Sequence, residues 1–129
     1  MEPTHFAPLL YIANGITDID FYKNAFNAIE QFRYCNDDGS LHVAELKIGD
    51  AVFHVHEMND KKGRFSLEGT TGVSVLIGLF TDDVHGVFNQ AIEAGATELS
   101  PVTDYDYGYR QGELKDPFGH IWVIQKKLE

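Results

Sequence analysis

The chain states one pattern twice. Residues 43–56 read VAELKIGDAVFHVH and residues 111–124 read QGELKDPFGHIWVI. Each passes through Glu-Leu-Lys, a turn with glycine and a short apolar strand. The surroundings repeat too. Residues 8–13 (PLLYIA) make a short strand pattern closed by Asn14-Gly15. Thr17, with Asp20 three residues on, is placed to cap a helix, whose apolar face is Ile19, Tyr22, Phe26 and Ile29 and whose left-handed stop is Asn27. Strand-like runs follow at 29–35, 41–48 and 51–57, with Asp37-Asp38-Gly39 and Gly49-Asp50 as turns. After a polar stretch without period, the same order restarts. A buried strand is expected at 73–80 and helix caps at Thr81, Asp82 and Asp83. Val84, Val87, Phe88, Ala91 and Ile92 form the apolar face, and Gly95 is the stop. Three more strands are expected at 97–102, 107–115 and 120–126.

The copies are offset by 64 residues at the caps (Thr17 to Thr81) and by 68 at the Glu-Leu-Lys pairs (Glu45 to Glu113). A unit of strand, helix and three strands leaves one sheet face bare unless a second unit covers it, so such units come at least in pairs. The expected fold is therefore α+β: two tandem βαβββ modules, at about 7–57 and 73–126, joined by a linker at 58–72, in one domain.

Composition narrows the partners. The net charge of −10 repels phosphate, which argues against nucleic acid or an anionic membrane as partner. The acids are scattered, as on a solubilising surface; an acidic cleft for cations is the alternative reading. Cys35 is the single cysteine, so it has no internal disulfide partner, and a reducing cytoplasm suits it. The apolar stretch at 6–13 is too short to span a membrane and lacks a basic flank, so no signal peptide is expected.

The stretches IDFYKNAFNAIEQF (19–32), HVAELKIGD (42–50), DDVHGVFNQAIEAGA (82–96) and YGYRQGELKDPFGHIW (107–122) resemble the vicinal oxygen chelate superfamily, the glyoxalase, bleomycin-resistance and dioxygenase group, and within it a PhnB-like branch. The resemblance implies a cleft-shaped mixed sheet with helices on the outside. It also implies a homodimer with clefts at or near the subunit boundary, and a divalent metal held by strand His and Glu residues. On that alignment the metal positions fall on Ala7, near Val75 or Leu76, on Val123 and on His54. Only His54 carries a donor; His5 shares Ala7's strand parity but sits near the terminus.

His54 and His56, two apart on a strand, point to one face and could grip Zn, Ni, Fe or Mn together, or simply line a wet cleft. Glu57 points the other way unless the strand ends there. Glu113 shares a face with Tyr109 and Gln111 and is the candidate base; its bland reading, like that of Glu45, is cross-strand pairing with lysines. The stretch YDYGYRQG (105–112) offers stacking rings with polar tips, so Tyr107, Tyr109 and Arg110 join Tyr11, His54 and His56 as candidate ligand contacts. Arg110 could instead pin its loop to a carboxylate. Trp122 and His120 are expected in the core, Asp116, Pro117 and Gly119 in a turn and nothing more. His42 and His85 have no partner legible in the sequence, and Cys35 has no cation beside it.

Two function classes remain. One is a small-molecule-binding protein of the glyoxalase/bleomycin-resistance type, with no cofactor and a cationic or neutral ligand. The other is a divalent-metal-dependent lyase, isomerase or transferase using His54, His56 and Glu113. A cleft with no surviving role is the bland third.

Overall fold

Eight strands and two helices follow one another in the computed structural model, which describes residues 2–67 and 72–129; residues 68–71 of the expected linker lie outside the described residues. The order is β1 (Leu9–Ile12), α1 (Phe21–Phe26), β2 (Ile29–Cys35), β3 (Leu41–Ile48), β4 (Ala51–Glu57), then β5 (Ile77–Phe80), α2 (Val84–Glu93), β6 (Thr97–Tyr105), β7 (Tyr109–Lys115) and β8 (Ile121–Lys127). A 3-10 turn at Asp60–Lys62 follows β4. The strands form two mixed four-stranded sheets, ordered β1-β4-β3-β2 and β5-β8-β7-β6. In each, the first strand runs parallel to the last and the others are antiparallel. The fold is α+β with the two βαβββ units that the repeat requires.

Local chemistry departs from expectation in several places. Helix α1 is one residue short of two turns: Asn27 ends it at φ 57°, and Thr17 does not cap it. Asp20 is the capping residue and makes no side-chain cap bond; its own N–H donates instead to Asp18 Oδ1 at 2.8 Å. Ile29 is therefore not on the helix face but opens β2, where it is exposed. The apolar run expected at 73–80 forms a strand only from Ile77, because β8 offers partners to residues 77–80 alone; Val75 is left 70% exposed. Of the three caps offered to α2, Asp83 serves, its Oδ1 accepting from Gly86 N at 3.0 Å. Strand β6 runs three residues further than expected, β7 begins at Tyr109 and β8 at Ile121.

Alternation along each strand sends one set of side chains to the helices. Phe53 and Val55 of β4 and Trp122 and Ile124 of β8 are all buried there, with Leu46 and Leu114 beside them. Tyr22 of α1 sits where the halves meet, 5.3 Å from the Phe53 ring and 5.9 Å from that of Trp122; the Phe26 ring lies 4.8 Å from Trp122, tilted by 42°. The two modules thus share one apolar core, and the helices are joined by Gln90, whose amide donates to Asn24 O at 2.8 Å. Gly112 on β7 is required for this packing: a Cβ there would lie 2.8 Å from the Phe88 ring of α2 and 2.9 Å from Val102.

Asp116 does far more than form the turn expected of it. It is 2% exposed, yet accepts four hydrogen bonds: Oδ1 from the Phe118 and His120 amides at 2.9 and 3.0 Å, Oδ2 from Tyr22 OH at 2.7 Å and from Trp122 Nε1 at 3.0 Å. A buried carboxylate is tolerable only when so fully satisfied. Burial pushes the Tyr22 phenol well above its ordinary pKa, and the adjacent Asp116 adds to it, so the phenol stays a donor. This bond ties the first module's helix to the second module's last turn. His120 adds a second tie, its Nε2 lying 2.9 Å from Tyr11 O.

Candidate functional site

The sheet faces turned away from the helices carry the polar and aromatic residues. Register aligns them in rungs across four strands. On the first sheet, Leu9, His54, Glu45 and Phe32 form one rung, and Tyr11, His56, Val43 and Tyr34 the next. On the second, the matching rungs are Gly78, Val123, Glu113 and Ser100, then Phe80, Gln125, Gln111 and Thr103. Glu45 and Glu113 hold equivalent places, but their neighbours differ.

Glu45 accepts from His54 Nε2 at 3.1 Å. Among the described residues, neither it nor Glu113 makes the lysine pair of the bland reading. Glu113 lies between Val123 and Ser100, half-buried, and its carboxylate makes no hydrogen bond or ion pair among the described residues. His54 and His56 share a face as expected, but His56 turns to other partners. Its ring lies 5.5 Å from Tyr11 and 4.8 Å from His42, and its Nδ1 is 2.6 Å from Glu57 O. His42, partnerless in the sequence, has Nδ1 2.6 Å from Glu57 Oε2, and Asn36 Nδ2 donates to Oε1 at 3.2 Å. The strand does end at Glu57, which frees its carboxylate to bend toward His42. No periodicity could have announced this cluster, because Asn36, His42 and Glu57 come from three different strand ends.

At the far end of the second sheet, Tyr105 and Tyr107 stack at 5.2 Å and Tyr109 follows 6.0 Å from Tyr107. Tyr107 OH donates to Gln111 Oε1, and Gln111 Nε2 passes the chain on to Gln125 Oε1 at 2.7 Å. Arg110 pins the hairpin, with Nε and Nη2 on the two oxygens of Asp104 at 2.7 and 3.1 Å. That fork holds the Asp104 carboxyl below its usual range. Tyr11, His54 and His56 thus gather on the first sheet, and Tyr107, Tyr109, Arg110 and Glu113 on the second.

Between the modules, the edge strands β1 and β5 border two adjoining cavities. One, of about 420 Å³, is lined by Leu10, Val52, Phe53, Ile77, Leu79 and Trp122. The other, of about 620 Å³, takes in Leu9, Tyr11, Phe65, Leu76 and His120. Phe6, Pro8, Leu10, Ile77 and Gly78 border both, so they form one trough. Of the residues expected to touch a ligand, Tyr11 alone lines it.

The implied metal can be tested on these positions. Register sets Leu9 beside His54 and Gly78 beside Val123, two residues further along than the alignment on Ala7 and Leu76. Leu9, Gly78 and Val123 carry no donor atom, and His54 is engaged by Glu45. Among the described residues, no three His, Cys, Asp or Glu side chains are grouped to hold one ion, so His54, His56 and Glu113 do not converge within the chain. These residues do not fit the superfamily's chelated metal.

Comparison with known proteins agrees with this architecture. The model of the Glyoxalase/Bleomycin resistance protein/Dioxygenase superfamily matches residues 10–124. An uncharacterized protein of Mycobacterium bovis is 37% identical over 127 residues, covering 96% of this chain and 83% of that protein. The crystal structure of an Arabidopsis thaliana gene product superposes with TM-score 0.74 at 27% identity, covering 97% of this chain and all of the other. A glyoxalase/bleomycin resistance protein/dioxygenase family enzyme from Burkholderia phytofirmans shares the fold, at TM-score 0.71 and 20% identity over 93% of this chain and 95% of that one.

Proposed function

The chain belongs to the glyoxalase/bleomycin resistance protein/dioxygenase superfamily, and on that premise we propose that it is a small-molecule-binding protein of the PhnB-like branch that works without the superfamily's chelated metal. The observation that carries this reading is the trough between β1 and β5. Its two parts, about 420 and 620 Å³, fall in the range of small-molecule pockets, about 300–1,000 Å³. Its walls are mostly apolar, with Asp50, His5, Ser74 and His120 among them, and apolar contact with water released from them supplies the affinity.

Ligand polarity follows from the rungs. Gly78 lines the trough, and Glu113, two strands in on the same rung, makes no hydrogen bond or ion pair among the described residues. An organic molecule with an apolar body and a cationic or hydrogen-donating group matches that pairing, and the acidic net charge favours it. The enzyme reading, a metal-dependent lyase, isomerase or transferase, asks for donors where Leu9, Gly78 and Val123 stand.

A homodimer is part of the same reading. The outer faces leave Leu9, Phe32, Tyr34 and Phe80 exposed beside the candidate polar residues, and the matching face of a second copy would cover them. The exposed thiol of Cys35 suits the cytoplasm.

Trp122, the single tryptophan, lines the trough and reports on it. Titration of the tag-free protein with aromatic cations should shift Trp122 emission saturably. A Cβ at Gly78 would lie 2.8 Å from the Gln125 amide nitrogen, the end of a flexible side chain, and 3.9 Å from the Phe80 ring; Gly78→Val adds bulk there and should remove the response while the protein stays folded. Saturable binding unaffected by Gly78→Val would place the ligand elsewhere, and a screen with no binder would end the reading.

A further inference from the structure

The histidines of the first sheet pair differently from the way the sequence pairs them. His54 Nε2 is taken by Glu45, whereas His56 turns toward His42, the ring centres 4.8 Å apart at an interplanar angle of 62°. Their proton positions are fixed by their acceptors. The Glu57 carbonyl can only accept, so His56 Nδ1, 2.6 Å away, carries a proton. The Glu57 carboxylate likewise accepts from His42 Nδ1. A ring that donates through Nδ1 and carries no second proton has its lone pair on Nε2, and neither Nε2 has a hydrogen-bond partner among the described residues.

A ring nitrogen that donates to a carboxylate or backbone carbonyl while the other is left bare is the arrangement found behind metal-bound histidines. Here one residue, Glu57, supplies both kinds of acceptor, and Asn36 holds its other carboxylate oxygen at 3.2 Å. Separation agrees as well. With metal–nitrogen bonds of about 2.0–2.1 Å, two imidazoles on neighbouring coordination positions put their ring centres roughly 4.5–5.2 Å apart. The side chain of His42 is 49% exposed, so an ion can reach it from solvent.

We propose that His42 and His56 form a two-histidine site for a borderline divalent cation, with Glu57 orienting both rings and water completing the coordination. It stands apart from the positions of the superfamily's chelated metal and goes beyond the ligand-binding reading. Two imidazoles favour Cu²⁺ over Ni²⁺ and Zn²⁺. Two protein donors make a weaker, more open site than three.

The test uses tag-free full-length protein and Cu²⁺ alone. Pulsed electron paramagnetic resonance at one equivalent should report two imidazoles, each through its remote Nδ1. His42→Ala and His56→Ala should each leave one imidazole. Glu57→Gln, which acts only through the rings, should weaken binding about tenfold or more, whereas His85→Ala and His5→Ala should leave the spectrum unchanged. Line broadening in the nuclear magnetic resonance spectrum of the unaltered protein, centred on the two rings, gives the same answer without a variant. A single imidazole in the unaltered protein, or two that survive His42→Ala, would overturn the proposal. So would loss of the site with His5→Ala.

Discussion

The two sheets are one design with two outcomes. Leu46 and Leu114 are equivalent and both buried, and Phe53 and Trp122 occupy matching places with their rings 5.9 Å apart. Toward the helices the copies therefore stay alike, because both must fill one core. On the opposite face they diverge: Glu45 stands beside His54, and Glu113 beside Val123. The inner face is held by volume, whereas the outer face needs only strand geometry, so chemistry can vary there at small cost in stability.

The largest effect expected is in the shared core. Trp122→Ala should lose about 3–5 kcal/mol in urea unfolding, and Phe53→Ala should fall in the same range if the halves are energetically alike. A Phe53→Ala cost below about 1 kcal/mol would break the equivalence. Next comes the staple. Tyr22→Phe removes one of four donors to Asp116 and should cost about 1–3 kcal/mol by the same measurement.

Gly112 and Ala44 sharpen the comparison further. They are equivalent, but only Gly112 has the Phe88 ring against it. Gly112→Ala should destabilise by about 1–3 kcal/mol, and Ala44→Gly by about 1 kcal/mol through backbone entropy and lost burial. Equal effects would mean that the second helix sits no closer to its sheet than the first.

The smallest effect separates the outer faces. Asp104 is held below its usual range by Arg110, so the pairing is intact at neutral pH and is lost only as pH falls below the ordinary aspartate range. The Arg110 Hε resonance should move in that window and stay still in Asp104→Asn, with little change in the unfolding midpoint.

The duplication, both helix stops and the bounds of five of the eight strands, β2, β3 and β4 in full and β1 and β8 to within one residue, were legible because they rest on local chemistry: turn glycines, Asn27, alternation and β-branched runs. The sequence misled where partners come from afar. Residues 73–76 read as strand by composition, but no β8 residue faces them. Asp116 reads as a turn residue, and only the fold brings Tyr22 to it. The candidate site was legible as a set of residue types, not as an assembly: parity set His54 beside His56 correctly, while the partners that orient His56 lie on other strand ends.

The Tyr22–Asp116 bond spans 94 positions. During synthesis, at about 5–20 residues per second, the donor waits roughly 5–20 s for its acceptor to be made. The first module therefore leaves the ribosome with the inner face of its sheet unfinished and its phenol unanswered. A single unit of this kind would need a second molecule to fill that place, and here the same chain supplies it.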